Sequence, residues 1–416
     1  MSDTHAAELE KATHATFLQE DIDRAIAQCG IDAANPRRDQ YTEATADSMR
    51  AYARAGGDDN RLYCDRAYGE KTRWGGQIAP PLMFRIINNP LLGPAGPKRV
   101  PFRGIHQFVS GATIDFYKPL KAGDRVYSFT GVESVTPKAS NFAGRSVIQI
   151  KRSTHMNQDA EVVAVFKQLM VMTERKAAME KGALNDIQPA HYTPEDIARQ
   201  DAVYAAEKPR GLEPRYWEDV AVGDPIGPMG KGPLTLTDIV FWHAGGTGFT
   251  YNPSTSRLAW ENRQRIPAFY VPNDQGIPDI AMRVHWDKEW AKAVGVPLPY
   301  DYSVMREFWL CHALTDWMGD DAWLTHFHAE IRRFNYLGDL TVISGEVKAK
   351  RREAGRSLVD IRIAGVSQRG EETCHAVATI ALPSREDGPV LLPQPPEDLA
   401  RRALQFMEEH HRRAKA

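Results

Sequence analysis

The chain carries two copies of one pattern. Around position 120 it reads Phe116-Tyr117-Lys118-Pro119-Leu120-Lys121-Ala122-Gly123-Asp124-Arg125-Val126. Around position 335 it reads Arg333-Phe334-Asn335-Tyr336-Leu337-Gly338-Asp339-Leu340-Thr341-Val342. The two Gly-Asp pairs stand 215 residues apart. A second match sets Asn157-Gln158-Asp159-Ala160-Glu161 against Ser367-Gln368-Arg369-Gly370-Glu371, with the glutamines 210 residues apart. Two matches at nearly one offset imply a duplicated domain, because a period this long does not belong to a solenoid. A chain of 416 residues is also too long for one typical core.

Within each copy the expected order is a helical stretch and a loop, an apolar helix, and then several long strands. In the second copy residues 305–318 are apolar at helical spacing, rich in aromatics, and stop at Gly319. Residues 343–350, 358–366 and 373–382 alternate like strands of a sheet with one covered face, and 162–172 is their counterpart in the first copy. A long antiparallel sheet wrapped round a central helix is the packing these parts suggest, an α+β class. Residues 8–55 read as helical. The expected units are 1–175 with its helical leader, a charged helical linker 176–210, a second unit 211–390 and a helical tail 391–416.

The formal net charge of −2 points away from nucleic acid or an anionic membrane as partner. The N-terminus is polar, and no stretch approaches the ~20 apolar residues of a membrane span. Cys29, Cys64, Cys311 and Cys374 form no CxxC pair, which suits free thiols in a reducing cytoplasm. A cytoplasmic location is therefore expected, with no metal or cofactor. Thr325-His326-Phe327-His328 puts two histidines on one strand face, and a polar strand edge is the expectation there. Asp238 and His243 lie on one predicted helix, whose turn splays them to different faces.

The run Val284-His285-Trp286-Asp287-Lys288-Glu289-Trp290, followed by Gly295-Val296-Pro297 and Asp301-Tyr302, is suited to acid/base chemistry. An imidazole stands beside a turn that presents backbone N–H groups at a helix start. The first copy holds a related segment, Gly57-Asp58-Asp59-Asn60-Arg61-Leu62-Tyr63-Cys64-Asp65, with Tyr63 in place of the histidine. A phenol of pKa near ~10 is a poor base at neutral pH, so the first copy is not the expected working site.

Taken in order, these motifs resemble the MaoC-like enoyl-acyl hydratases and dehydratases, and the first half resembles the FAS1-like dehydratase domain that often precedes such a unit. The resemblance spans most of residues 20–385. It implies a double hotdog fold, with two sheets joined around two central helices. It also implies a hydro-lyase that converts a trans-2-enoyl thioester to the (R)-3-hydroxyacyl form, or the reverse. The carrier it implies is coenzyme A or acyl carrier protein, in a homodimer or higher homo-oligomer.

The family motif Asp-x-Asn-Pro-x-His-x-Asp lies over Asp58, Asn60, Tyr63 and Asp65 in the first copy, and over His285 and Asp287 in the second. On this resemblance His285 is the base, Asp279 its nearest upstream carboxylate, with Asp274 next, and the Ser303 N–H the oxyanion donor. Asp287, Tyr302, Tyr63, Trp74 and Arg257 are the candidate substrate contacts, Arg257 with Arg263 and Arg265 for cofactor phosphates and Trp74 for an acyl tunnel. A bulky, branched or cyclic acyl group fits a duplicated fold that has given up one site. The alternatives are a hotdog thioesterase and a non-catalytic acyl-CoA-binding subunit of a heteromer.

Overall fold

A computed structural model describes residues 16–39, 41–98, 100, 102, 105–140, 144–174, 187–245 and 256–415. Ten strands form one antiparallel sheet. The first copy supplies β1 (Ala33–Ala34), β2 (His106–Phe116), β3 (Tyr127–Ser140), β4 (Gly144–Met156) and β5 (Val162–Thr173). The second supplies β6 (Pro225–Lys231), β9 (Trp323–Ile331), β10 (Thr341–Glu353), β11 (Arg356–Ser367) and β12 (Glu372–Leu382). A separate ribbon pairs β7 (Tyr270–Pro272) with β8 (Pro278–Ile280). The spatial order β1-β3-β4-β5-β2-β9-β12-β11-β10-β6 reads the same from either end, once each strand is exchanged for its counterpart. The seam is β2 against β9, antiparallel. This is a double hotdog of the α+β class, as the resemblance implied.

The two sequence matches that revealed the duplication turn out to be one interaction, made once in each copy. Asp124 accepts from the Lys121 N–H and from the Gln158 amide, whose oxygen accepts from the Arg125 N–H. Asp339 accepts from the Tyr336 N–H and from the Gln368 amide, whose oxygen accepts from the Leu340 N–H. Gly123 and Gly338 supply the positive φ that each turn needs, +97° and +92°. The helices that open the copies also match. Thr45 closes a capping box on Ser48 for helix Ala46–Ala55, and Thr235 closes one on Asp238 for helix Leu236–Ala244.

The copies differ at their centres. The second holds helix Ser303–Met318, almost wholly buried and ended by Gly319 at φ +77°. Among the described residues, the first keeps only a single 3-10 turn, Met83–Ile86, in the equivalent place. Prolines 90, 94, 97 and 101 follow in quick succession, and each removes a backbone donor and blocks a helical turn. One of the two expected central helices is therefore reduced to a turn.

Two further expectations change. Residues 8–55 are not one helical stretch: helix Gln19–Ile26 and helix Ala46–Ala55 are separated by extended chain that includes β1. His326 and His328 do not lie on a sheet edge. Their strand is interior, between β2 and β12, where His326 Nδ1 meets Asp115 and His328 Nδ1 meets Thr113, each at 2.7 Å across the seam. The tail helix Glu397–Ala414 folds back on the first copy, where Phe406 stacks on Phe129 at 4.5 Å between ring centres.

Candidate functional site

The reduced helix borders a cavity on the first copy's side of the core, where Phe84 of its turn forms part of the wall. Its walls are apolar, among them Trp74, Ile78, Phe84, Phe116, Leu120 and Trp323. Polar groups gather at one end: Asn60 and Tyr63 from the first copy, Thr315 and Asp320 from the second. Trp74 is held there by a 2.8 Å bond from its indole N–H to the Asp320 carbonyl.

A buried network lies behind that polar end. Gly56 lets the loop press onto the central helix, since a Cβ there would stand 2.1 Å from the Phe308 ring. One helical turn beyond Phe308, His312 meets the loop's Asp58. His312 Nε2 lies 3.5 Å from Asp58 Oδ1 and 3.4 Å from Asp316 Oδ2. The Lys231 ammonium lies 2.8 Å from His312 Nδ1. An ammonium can only donate, so Nδ1 accepts and the ring proton sits on Nε2, facing the two carboxyl groups. The Asn60 N–H donates to Asp58 at 2.9 Å.

Burial dominates the protonation of this cluster. It pushes His312 down to about 4, so the ring is neutral at pH 7. It pushes Asp316 up to about 7, with Lys231 opposing. It also raises Asp58, against the pull of His312, and lowers Lys231. Tyr63 is held well above the usual range by burial and by Asp58, so its phenol keeps its proton. The ligand atoms of Asp58, His312 and Asp316 all lie within 4.8 Å of one another, a spacing that suits a cation. The Lys231 ammonium already places a positive charge beside them, so the donor set favours a proton network over a metal.

His285 occupies the corresponding position in the second copy. Arg283 pairs with Asp287 as Arg61 pairs with Asp65, and each aspartate caps the short helix that follows. His285 therefore stands where Tyr63 stands. Its Nδ1–H donates to the Tyr300 carbonyl at 2.8 Å, and the Asp301 backbone also takes a hydrogen bond from the ring. Its ring lies 3.8 Å from that of Tyr302, and burial lowers its pKa to about 4. The Tyr302 hydroxyl also reaches His243 Nε2 at 3.2 Å, so the helix brings His243 to this place after all.

The remaining candidates spread out. Asp279 sits in the β7–β8 ribbon, where it accepts from the Ile280 N–H; the bonds of His285 run to Tyr300 and Asp301 and none to Asp279. Asp274 lies in the turn of the same ribbon. Asp287 is engaged by Arg283 and by its helix. Arg257 is exposed and pairs with Glu261 on its own helix. Ser303 is the first residue of the central helix, so its N–H has no acceptor within the helix. Tyr63 and Trp74 line the cavity. His312 and Asp316 were hidden inside an apolar helix; their i, i+4 spacing with Thr315 between them was the one available signal.

Comparison with known proteins agrees with this architecture. Residues 35–166 match the family model described as the FAS1-like, dehydratase domain region. A protein of Streptomyces avermitilis described as a UPF0336 protein is 24% identical over 155 residues, covering 35% of this chain and 95% of that one. A solved MaoC-like dehydratase matches at a TM-score of 0.55 and 16% identity, covering 86% of this chain and 98% of its own. A MaoC domain protein dehydratase from Chloroflexus aurantiacus matches at 0.51 and 13% identity, covering 86% and 96%. The chain thus has the double hotdog fold of solved MaoC-like dehydratases, and residues 35–166 within its first half match a FAS1-like dehydratase region.

Proposed function

We propose that the chain is a hydro-lyase acting on a trans-2-enoyl or (R)-3-hydroxyacyl thioester, and that its working centre is the composite of the first copy's loop and the second copy's helix. The observation that carries this reading is the meeting of Asp58 with His312 behind the polar end of the apolar cavity. Hydration needs a base for water and an acid for the α-carbon. Asp58, steadied by the Asn60 N–H, His312 and Lys231, takes the proton from water. Tyr63, a phenol kept protonated in the position the family gives to histidine, faces the cavity as the donor. Asp316, whose pKa of about 7 leaves it partly protonated, replenishes the network.

The apolar cavity beside the reduced helix supports a bulky or branched acyl group. Coenzyme A is the proposed carrier, a homo-oligomer the proposed assembly and the cytoplasm the proposed compartment. Among the described residues no helix is long and apolar enough to cross a membrane.

A second reading places the centre at His285. The buried, neutral imidazole of His285 and the Ser303 N–H at the helix start favour it, with the Ser303 N–H as oxyanion donor. The test of hydro-lyase activity is loss of the enoyl-thioester absorbance with bulky and short enoyl-CoA esters, followed beside release of free thiol. Absorbance loss without thiol, favouring bulky groups, is expected. Thiol release would instead make the protein a thioesterase, and binding without turnover an acyl-CoA-binding subunit.

A further inference from the structure

Tyr63 is held at both ends, by a different copy at each. Its carbonyl accepts from the Gln77 amide at 2.6 Å, and the same amide donates to the Ala46 carbonyl at 2.9 Å. Its phenol is hydrogen-bonded to the Thr315 hydroxyl, which comes from the second copy's central helix and lines the same end of the cavity. Both side chains are buried. The Thr315 hydroxyl also donates to the His312 carbonyl at 3.0 Å. A hydroxyl has one proton and two lone pairs, so towards a protonated Tyr63 it accepts, and the phenol is the donor. The His312 carbonyl keeps the Asp316 N–H of its own helix whether or not Thr315 donates to it. Turning the Thr315 proton away therefore strands no backbone group.

We infer that Thr315 is the positioning residue for Tyr63 and serves it in two orientations. While the phenol is protonated, Thr315 Oγ1 accepts from it and holds its oxygen at the cavity. As the α-carbon takes the proton, the Tyr63 O–H bond breaks, the Cα–H bond forms and the electron pair stays on the phenol oxygen. The Thr315 hydroxyl then turns from the His312 carbonyl and donates to that oxygen, keeping its own proton throughout. A bond that strengthens as charge develops favours the transition state over the bound substrate. This deepens the hydro-lyase reading and rests on Tyr63 being its proton donor.

The test removes the hydroxyl alone, in the full-length protein. Thr315→Val keeps nearly the same shape, Thr315→Ser keeps the hydroxyl, and Thr315→Ala is the second deletion should the valine variant not fold. With a bulky trans-2-enoyl-CoA, Thr315→Val is expected to lose about ten- to hundredfold in kcat, the scale of a hydrogen bond to a charged group, with KM within about twofold. Thr315→Ser should stay within about threefold of the unaltered protein. In a Tyr63→Phe background, Thr315→Val should cost nothing further. An equal loss in both backgrounds, or no loss in the Thr315 deletions beside a slow Tyr63→Phe, would overturn the inference and leave the hydro-lyase reading standing. Full activity in Tyr63→Phe would remove Tyr63 as the donor and the inference with it. The bond is also read without turnover, from the Cζ resonance of Tyr63 in protein carrying isotope-labelled tyrosine, identified by its disappearance in Tyr63→Phe. That resonance should move in Thr315→Val and hold in Thr315→Ser; an unmoved resonance would overturn the inference whatever the rates. A moved resonance in a protein without turnover would leave the Thr315–Tyr63 bond standing and refute the hydro-lyase reading.

Discussion

Tyr63 and His285 hold the same place in the two copies, yet their surroundings have diverged in opposite directions. Tyr63 borders a cavity and stands next to carboxyl groups from both copies. His285 keeps the residue type of the family motif but is packed between Tyr300 and Tyr302. The reduction of one central helix accompanies the contrast. Its remaining turn borders the cavity on the first copy's side, and the surviving helix faces the first copy's loop, with His312, Thr315 and Asp316 on that face. On the proposed reading, a motif position tells where a site lies in a hotdog unit, and the facing helix decides which polar groups it holds.

The matched ion pairs offer the largest test of this divergence. Arg283 is buried at 4% side-chain exposure, whereas Arg61 is 65% exposed. Arg283→Ala strands Asp287 and two backbone carbonyls and should cost about 3–5 kcal/mol in chemical denaturation. Arg61→Ala should cost less than about 1 kcal/mol. Equal losses would mean that the second loop is no more rigidly built than the first.

The two Gly-Asp turns should differ by less. Asp339 is 1% exposed and also pairs with Arg369, while the turn at Asp124 is more open. Asp339→Ala is expected to cost about 2–3 kcal/mol and Asp124→Ala about 1 kcal/mol.

A smaller effect lies in pH. Asp316 has its folded pKa raised by burial to about 7, so the folded state binds more protons than the unfolded one between the two pKa values. Its contribution to stability is complete below the unfolded value of about 4 and is lost as pH rises towards 7. His312, lowered to about 4, acts in the opposite sense: its contribution is complete above about 6.5 and is lost as pH falls towards 4. Relative to the unaltered protein, Asp316→Asn should therefore gain stability steadily from pH 4 to pH 7 in denaturant titrations. A parallel pair of curves would show that Asp316 titrates normally.

How much of this was legible depended on distance along the chain. The duplication, the long strands and the central helix up to Gly319 are local patterns, and all of them stand in the structure. The lost helix was also written locally, in the prolines from 90 to 101, but a repeat invites the assumption that both copies are complete. The interior position of His326 and His328 follows from pairing between β2 and β9, more than 200 residues apart, which no local pattern records. The meeting of Asp58 with His312 has the same cause. His312 reads as part of an apolar helix until the fold lays the Gly56–Asp58 loop across it.

The most direct measurement is turnover of one bulky trans-2-enoyl-CoA by Asp58→Asn, His312→Ala and His285→Ala, each shown to be folded. A composite centre predicts that the first two lose about 100-fold or more, the scale of general acid–base catalysis, while His285→Ala stays within about threefold of the unaltered protein. Loss confined to His285→Ala, with the other two active, would contradict it and place the chemistry in the second copy.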